Sequence, residues 1–176
     1  VGIRPLQRGD DRKLLAEALS VASRADVIVA AVGECSDMSG ESASRTDIRI
    51  PDAQSDLLKA LVKTGKPVVL LLFTGRPLDL TWESANVPAI LNVWFGGSET
   101  GDAVADVLFG KVSPSGKLTT TFPRSVGQMP LYYSQMATGR PDGDPNTFNR
   151  YASNYIDCPN DGLYPFGFGL SYTTFE

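Results

Sequence analysis

Residues 25–51 read ADVIVAAVGECSDMSGESASRTDIRIP, an apolar segment that runs directly into a polar loop. The segment from Asp26 to Gly33 predicts a strand that is apolar on both faces, as in parallel sheets covered by helices. The loop after it carries four carboxylates, and in open α/β sheets ligands bind beyond the carboxyl ends of the strands. The stretch therefore predicts an α/β fold with a candidate site in the loop at residues 33–51.

On either side of this stretch, apolar spacing predicts alternating helices and strands. Four helices are predicted. The first is capped by Asp10 or Asp11 and runs to about Arg24, and the second runs from about Asp52 to Lys63, with Gly65 in the left-handed conformation after it. A short helix follows near residues 82–85, and the last is capped by Ser98 or Thr100 and ends at Gly110. The predicted later strands cover residues 67–73, 89–94 and 117–123. This order predicts a layered α/β sandwich with a mostly parallel sheet flanked by helices.

Composition limits the classes of function. The chain has 176 residues, about one domain, and its 16 Lys and Arg against 20 Asp and Glu give a net charge of −4. This balance argues against nucleic acid or an anionic membrane as a partner, and no apolar run approaches the roughly 20 residues that span a bilayer. The chain contains no histidine. That excludes a Ser-His-Asp triad and the usual His-containing zinc sites.

The two cysteines and the first residue each support one expectation. Cys35 and Cys158 lie far apart and outside any CxxC motif, which favours free thiols over a disulfide or a redox role. The chain begins at Val1 with neither a start methionine nor a signal peptide. We therefore expect it to be an excised part of a longer protein.

We expect different roles for the four carboxylates of the loop. Glu41 follows Gly40 and precedes three small residues, so its carboxyl group could approach a ligand without steric obstruction. Glu34, directly after the strand, is expected to hold the loop through backbone N–H groups. Asp47 is expected to pair with Arg45 or form a local cap, and Asp37 to be solvated. At this point a catalytic and a structural role both remain open for Glu41.

Other segments predict turns. TGRP, residues 74–77, follows a strand, so Arg76 could reach the crevice, and FGGSETG, residues 95–101, lacks both the P-loop and the dinucleotide fingerprints. Residues 124–163 predict a long irregular loop. Its tyrosines 132, 133, 151 and 155 either stack on a sugar or, as we favour, pin the loop with buried rings. Residues 164–176 are expected to start the link to a following domain.

Four motifs carry a resemblance to a known family: GECSDMSGESASRTDIRIP, GKPVVLLLFTGRPL, WFGGSETGDAVADVLFGKVSPSGKLTTTFP and YPFGFGLSYTTFE. They resemble, in order, the C-terminal α/β sandwich domain of glycoside hydrolase family 3, especially its bacterial β-glucosidases. The resemblance covers nearly the whole chain, so residues 1–176 are expected to form a single, partial domain of this kind. It implies a parent enzyme that is a retaining exo-β-glucosidase with no metal and no organic cofactor.

The resemblance also implies a division of labour. The nucleophilic aspartate belongs to the family's N-terminal (β/α)₈ barrel, while SGES matches the acid/base position at Glu41, with Glu34 as the fallback assignment. The expected partners are that barrel and a β-glucoside or oligosaccharide. The fragment alone is expected to be inactive, and the parent to be periplasmic or secreted.

The chain departs from the family pattern upstream. The family's early strand is not present, so the sheet is expected to lack its first strand and to expose an edge through which copies could associate. Two alternatives remain: a non-catalytic carbohydrate-binding or interaction module of the same fold, and a flavodoxin-like nucleotide-binding domain. The missing phosphate fingerprint argues against the second.

Overall fold

The structure is a computed structural model that describes residues 11–136, 138–140, 147 and 149–174. The described residues form two compact units. The first lies within Val1–Arg76 and Trp82–Gly96, and the second within Pro77–Thr81 and Gly97–Glu176. The proposed cap Asp10 and the side chain of Asp11 lie outside the described residues.

A parallel sheet forms the centre of the first unit. Its strands are β1 (Ile28–Gly33), β2 (Val68–Phe73) and β3 (Ala89–Asn92), in the order β1-β2-β3. The register pairs Gly33 with Phe73 and Leu72 with Asn92, so all three strands end at the same edge. The predicted mixed α/β fold with a parallel sheet flanked by helices is confirmed.

Along the chain, one helix precedes each strand: α1 (Asp11–Ala22) before β1, α2 (Asp52–Val62) before β2 and α3 (Thr81–Asn86) before β3. The apolar stripe of α2 is consistent with its burial, because Leu58 and Leu61 are both buried. Val68, Leu70 and Leu72 of β2 are buried as well. Helix α2 contacts β1, and α1 contacts α2. Gly65 has φ +74, the left-handed conformation predicted for the end of α2.

Strand β1 is buried on one face only, contrary to the expectation from its apolar sequence. Ile28, Ala30 and Val32 are buried, whereas Val29 is 45% exposed. The reason is topological. β1 lies at an edge of the three-stranded sheet, where fewer elements are available to cover both of its faces.

The second unit has little regular structure in its described part. It contains helix α4 (Thr100–Leu108) and a 3₁₀ turn at Val126–Gln128. The predicted caps Ser98 and Thr100 are wrong, since Glu99 is the N-cap residue and makes no side-chain cap bond. Thr100 Oγ1 instead donates to Gly97 O (2.6 Å).

The predicted strand at residues 117–123 is also wrong. It forms a single antiparallel bridge between Phe122 and Tyr164. In addition, the N–H of Leu118 donates to Phe168 O, and Leu118 O accepts from the N–H of Gly167. Its partner segment YPFGFG interrupts a ladder, because proline donates no bond and Gly167 has φ +81.

Both cysteines are free thiols, Cys35 in the first unit and Cys158 in the second. Burial raises the pKa of the Cys158 thiol, which disfavours the reactive thiolate. None of the helices in the described part of the chain combines the length and apolarity that a membrane-spanning helix requires.

Candidate active site

The site begins where β1 and β2 end side by side. Glu34 follows Gly33, and its backbone N–H donates to Phe73 O (2.8 Å), which extends the strand pairing by one residue. Gly33 has φ +142, and a Cβ there would lie 1.8 Å from Phe73 O. Only glycine fits this crossing, so the sequence AVGE fixes where the loop leaves the sheet.

The carboxylate of Glu34 lies in a dense polar network at this edge. Its side chain is fully buried. Oε1 accepts from Arg45 Nη1 (2.7 Å), and Arg76 Nε lies 3.0 Å from Oε1 and 3.3 Å from Oε2. Oε2 also accepts from Thr74 Oγ1 (2.9 Å) and from the N–H of Gly75 (3.3 Å). The buried carboxylate thus accepts hydrogen bonds from four donors, one on Oε1 and three on Oε2.

This occupancy has an energetic reason. A buried carboxylate is stable only when opposite charges and hydrogen bonds compensate for its lost hydration. Arg45 and Arg76 provide two guanidinium groups whose side chains are only 12% and 22% exposed. Glu34 therefore anchors the loop, as its position directly after the strand predicts, although through arginine side chains as well as a backbone N–H.

Arg76 reaches the loop, as its place at the end of β2 predicts. Its Nη2 donates to Ala43 O (2.8 Å) and to Met38 O. The chain also approaches closely beside it, because a Cβ on Gly75 would lie 1.9 Å from Ser39 Oγ. The segment TGRP is therefore more than a turn: it forms the second wall of the site.

Glu41 lies on the outer corner of the same loop. A turn closes around it, with Ala43 N–H donating to Gly40 O (3.3 Å), and Gly40 and Ser42 have φ +110 and +57. The residue is exposed. Its carboxylate makes no hydrogen bond or ion pair with any residue that the structure describes. Glu41 is thus held by its backbone while its carboxyl group stays accessible.

The other two carboxylates of the loop are structural or solvated. Asp47 pairs with Arg49, with Oδ2 2.6 Å from Nη2, and accepts from the Arg49 backbone N–H (3.0 Å). These bonds lower the pKa of Asp47 from 3.8 to about 2. The predicted pairing of Asp47 with Arg45 is wrong, because Arg45 reaches the buried Glu34. Asp37 is exposed and accepts one long bond from Ser36 Oγ (3.4 Å).

Two features at the end of β3 have no counterpart in the sequence predictions. Trp94 has φ +58, which is unusual for a bulky residue and often marks a functional segment. The amide atoms of Asn92 are buried without a hydrogen-bond partner among the described residues. Both residues lie in AILNVW, and its prediction as a strand is the sequence signal that could have included them in the site.

The tyrosines of the long loop are not buried, so the interpretation that their rings pin the loop is wrong. Their exposed fractions range from 46% to 76% for residues 132, 133, 151 and 155. Tyr133 lies against Phe166, with ring centroids 4.5 Å apart.

In the described part of the chain, no three His, Cys, Asp or Glu residues are grouped closely enough to hold a metal ion.

The family model described as the glycosyl hydrolase family 3 C-terminal domain matches residues 6–172. The chain belongs to this family. The match includes both walls of the site at residues 33–51 and 74–76, and it agrees with the resemblance carried by the four sequence motifs.

Individual relatives agree with the family. The chain is 56% identical over 162 residues to a periplasmic β-glucosidase of Salmonella typhimurium, covering 92% of the chain and 21% of that protein. It is 44% identical over 160 residues to a β-xylosidase of Formosa agariphila, covering 91% of the chain and 21% of the relative. The crystal structure of a β-glucosidase from Listeria innocua in complex with isofagomine superposes with a TM-score of 0.87 at 42% identity, covering 98% of the chain and 24% of that structure. The chain thus spans about a fifth to a quarter of these proteins' length.

Proposed function

We propose that this chain supplies the acid/base carboxyl group, Glu41, of a retaining β-glucosidase whose nucleophile lies on another domain of the parent protein. The observation that carries the proposal is the contrast within the loop. Glu41 is exposed at a backbone-defined corner, whereas Glu34 is enclosed by two arginines. A general acid must come within hydrogen-bond distance of the leaving oxygen. Only an accessible carboxyl group can do so.

The chemistry needs two carboxyl groups. In retaining enzymes they lie about 5–5.5 Å apart, one attacking the anomeric carbon and the other protonating the departing oxygen. Glu41 would give its proton to the glycosidic oxygen as the bond to carbon breaks. It would then take a proton from the water that attacks the glycosyl-enzyme. The N-terminal (β/α)₈ barrel of the parent would carry the nucleophile and most of the sugar pocket.

The relatives support the substrate class and the location. Two of the named proteins are β-glucosidases and one is a β-xylosidase, so a β-glucoside with terminal glucose is the proposed substrate. The Salmonella relative is named periplasmic, which supports a periplasmic or secreted parent. The activity of the parent protein on matched 4-nitrophenyl β-glucoside and β-xyloside tests the sugar, and preference for the xyloside contradicts the assignment to glucose.

The acid/base role is tested by Glu41→Gln in the full-length parent. We expect kcat/KM on an unactivated disaccharide to fall about 10²–10⁴-fold, because protonation of a poor leaving group is lost. A 2,4-dinitrophenyl glucoside, whose leaving group departs without protonation, should lose far less. Equal losses on both substrates contradict the proposal.

Rescue of activity by azide distinguishes the assignment to Glu41 from the fallback assignment to Glu34. In Glu41→Ala, azide can enter the vacated space and attack the anomeric carbon of the glycosyl-enzyme, expelling the enzyme's carboxylate and forming β-glucosyl azide. The matched Glu34→Ala variant opens space only behind Arg45 and Arg76, so azide should not accelerate its turnover. Formation of the azide product by Glu34→Ala alone moves the role to Glu34.

The isolated 176-residue chain is expected to be inactive, since a retaining enzyme needs both carboxyl groups. Assay on a chromogenic β-glucoside tests this expectation. Turnover by the isolated chain that Glu41→Gln abolishes contradicts the proposed division between domains.

A further inference from the structure

We infer that Arg76 is a positioning residue that holds the Glu41 turn in place; this inference rests on the proposed function of Glu41. The turn needs such support. Ser42 has φ +57, and the left-handed region is unfavourable for a residue with a Cβ. Its one closing bond, from Ala43 N–H to Gly40 O, is long at 3.3 Å. A segment of this kind keeps its shape only when surrounding contacts impose it.

A single nitrogen of Arg76 provides those contacts. Nη2 carries two protons, and it donates to Met38 O on one side of the turn and to Ala43 O on the other. The two carbonyls bracket Glu41 in the sequence. The guanidinium therefore fixes the separation of the two ends of the segment that presents the carboxyl group.

Glu34 aims this guanidinium. Nε of Arg76 lies 3.0 Å from Oε1 of Glu34, so the edge of the guanidinium is held against the buried carboxylate while Nη2 points to the loop. A planar group with donors in a rigid fork can make both sets of bonds at once. Lysine, with a single flexible ammonium, cannot reproduce this geometry.

Arg45 provides an internal comparison. It binds the same carboxylate, through Nη1 to Glu34 Oε1 (2.7 Å). Its Nη2, however, donates to Arg49 O (3.1 Å), farther along the loop than the Glu41 turn. The two arginines therefore share the buried anchor and differ in whether they bracket Glu41.

The consequence for catalysis is a dependence on the leaving group. Misplacing a reacting group by about 1 Å can cost about 10²-fold in rate. A loosened turn impairs protonation of the leaving oxygen, so it slows the cleavage of poor leaving groups and spares good ones. General destabilisation of the domain, in contrast, reduces the amount of active enzyme and lowers both activities by the same factor.

The experiment uses the full-length parent and two substrates, an unactivated disaccharide and a 2,4-dinitrophenyl glucoside. The quantity measured is the ratio of their kcat/KM values, which does not depend on the fraction of enzyme that is folded. We expect Arg76→Lys to lower the disaccharide value relative to the activated substrate by about 10–100-fold. Arg76→Gln, measured in parallel, should do the same. The matched control Arg45→Lys should keep the ratio within about twofold of the unchanged protein, because both carbonyls that bracket Glu41 keep their bonds from Arg76.

The outcomes separate the two proposals. If Glu41→Gln shifts the ratio and neither Arg76 variant does, the positioning role is overturned and the acid/base role stands. If Arg45→Lys shifts the ratio as much as Arg76→Lys, the effect belongs to the Glu34 anchor as a whole, and the specific role of Arg76 is overturned. If Glu41→Gln leaves the ratio unchanged, the proposed function itself fails.

Discussion

Glu34 and Glu41 belong to the same loop and have opposite environments. Glu34 follows β1 directly, where the neighbouring strand and two arginines enclose its carboxylate. Glu41 lies on a turn that has left the sheet, and its carboxyl group is unpaired with respect to the described residues. The difference follows from the distance to the strand end: Glu34, next to β1, is enclosed, whereas Glu41, beyond the turn, stays accessible.

A shift of the end of β1 should have the largest effect on this difference between the two carboxylates. Gly33→Ala places a Cβ 1.8 Å from Phe73 O at φ +142, so the strand must shift before Glu34 can meet its arginines. We expect the free energy of unfolding of the chain to fall by about 3–5 kcal/mol. Urea unfolding measures this loss. Gly97→Ala is the matched control, because a Cβ at Gly97 meets nothing within 4 Å; equal losses contradict the argument.

Exchanging each carboxylate for its amide tests the comparison directly. Glu34→Gln leaves the guanidinium groups of Arg45 and Arg76 mostly buried without their anion, and we expect a loss of about 3 kcal/mol in unfolding free energy. Glu41→Gln removes no contact with the described residues, so its change should stay within about 0.5 kcal/mol. A Glu41 variant as destabilised as the Glu34 variant would remove the distinction between the two residues.

The smallest expected effect concerns Asp47, an exposed ion pair that contrasts with the buried one. Its pKa is lowered from 3.8 to about 2 by Arg49. A lowered pKa stabilises the fold above pH about 4 and loses that contribution as the pH falls through about 2. Because the Asp47 side chain is 54% exposed, screening limits the gain to less than about 1 kcal/mol.

The check is the pH dependence of the unfolding free energy between pH 2 and about 5. Asp47→Asn should flatten the curve in this window, and added salt should reduce the difference from the unchanged chain. Asp37→Asn, at an exposed carboxylate with one long bond, is the matched control and should follow the original curve. An identical curve for Asp47→Asn shows that its pair with Arg49 adds nothing to stability.

The sequence predicted the elements near the site well, because they depend on local periodicity. The apolar runs in β1 and β2 and the stripe on α2 lie where expected, and the four loop carboxylates follow β1. It failed where the outcome depends on distant partners. The segment at residues 117–123 has the composition of a strand, but its partner YPFGFG cannot continue a ladder.

The candidate site shows the same division between local and distant information. Gly40 and the small residues around Glu41 indicated an accessible carboxyl group from neighbouring sequence alone. Spacing could not show that Arg45 turns away from Asp47 toward Glu34, since that choice depends on burial of the carboxylate against β2. Nor could it show that Arg76 brackets the Glu41 turn, because TGRP is distant from SGES along the chain.

Periodicity and motifs of adjacent residues are sufficient to predict the α/β class, the family and the loop that contains the candidate acid/base. Which carboxylate of that loop is enclosed depends on contacts with residues distant in the sequence. The physical reason is the parallel register of β1 and β2, which brings Thr74, Gly75 and Arg76 against Glu34 and so satisfies a buried charge. Glu41, one turn beyond that contact, is exposed, and its carboxyl group is paired with none of the described residues.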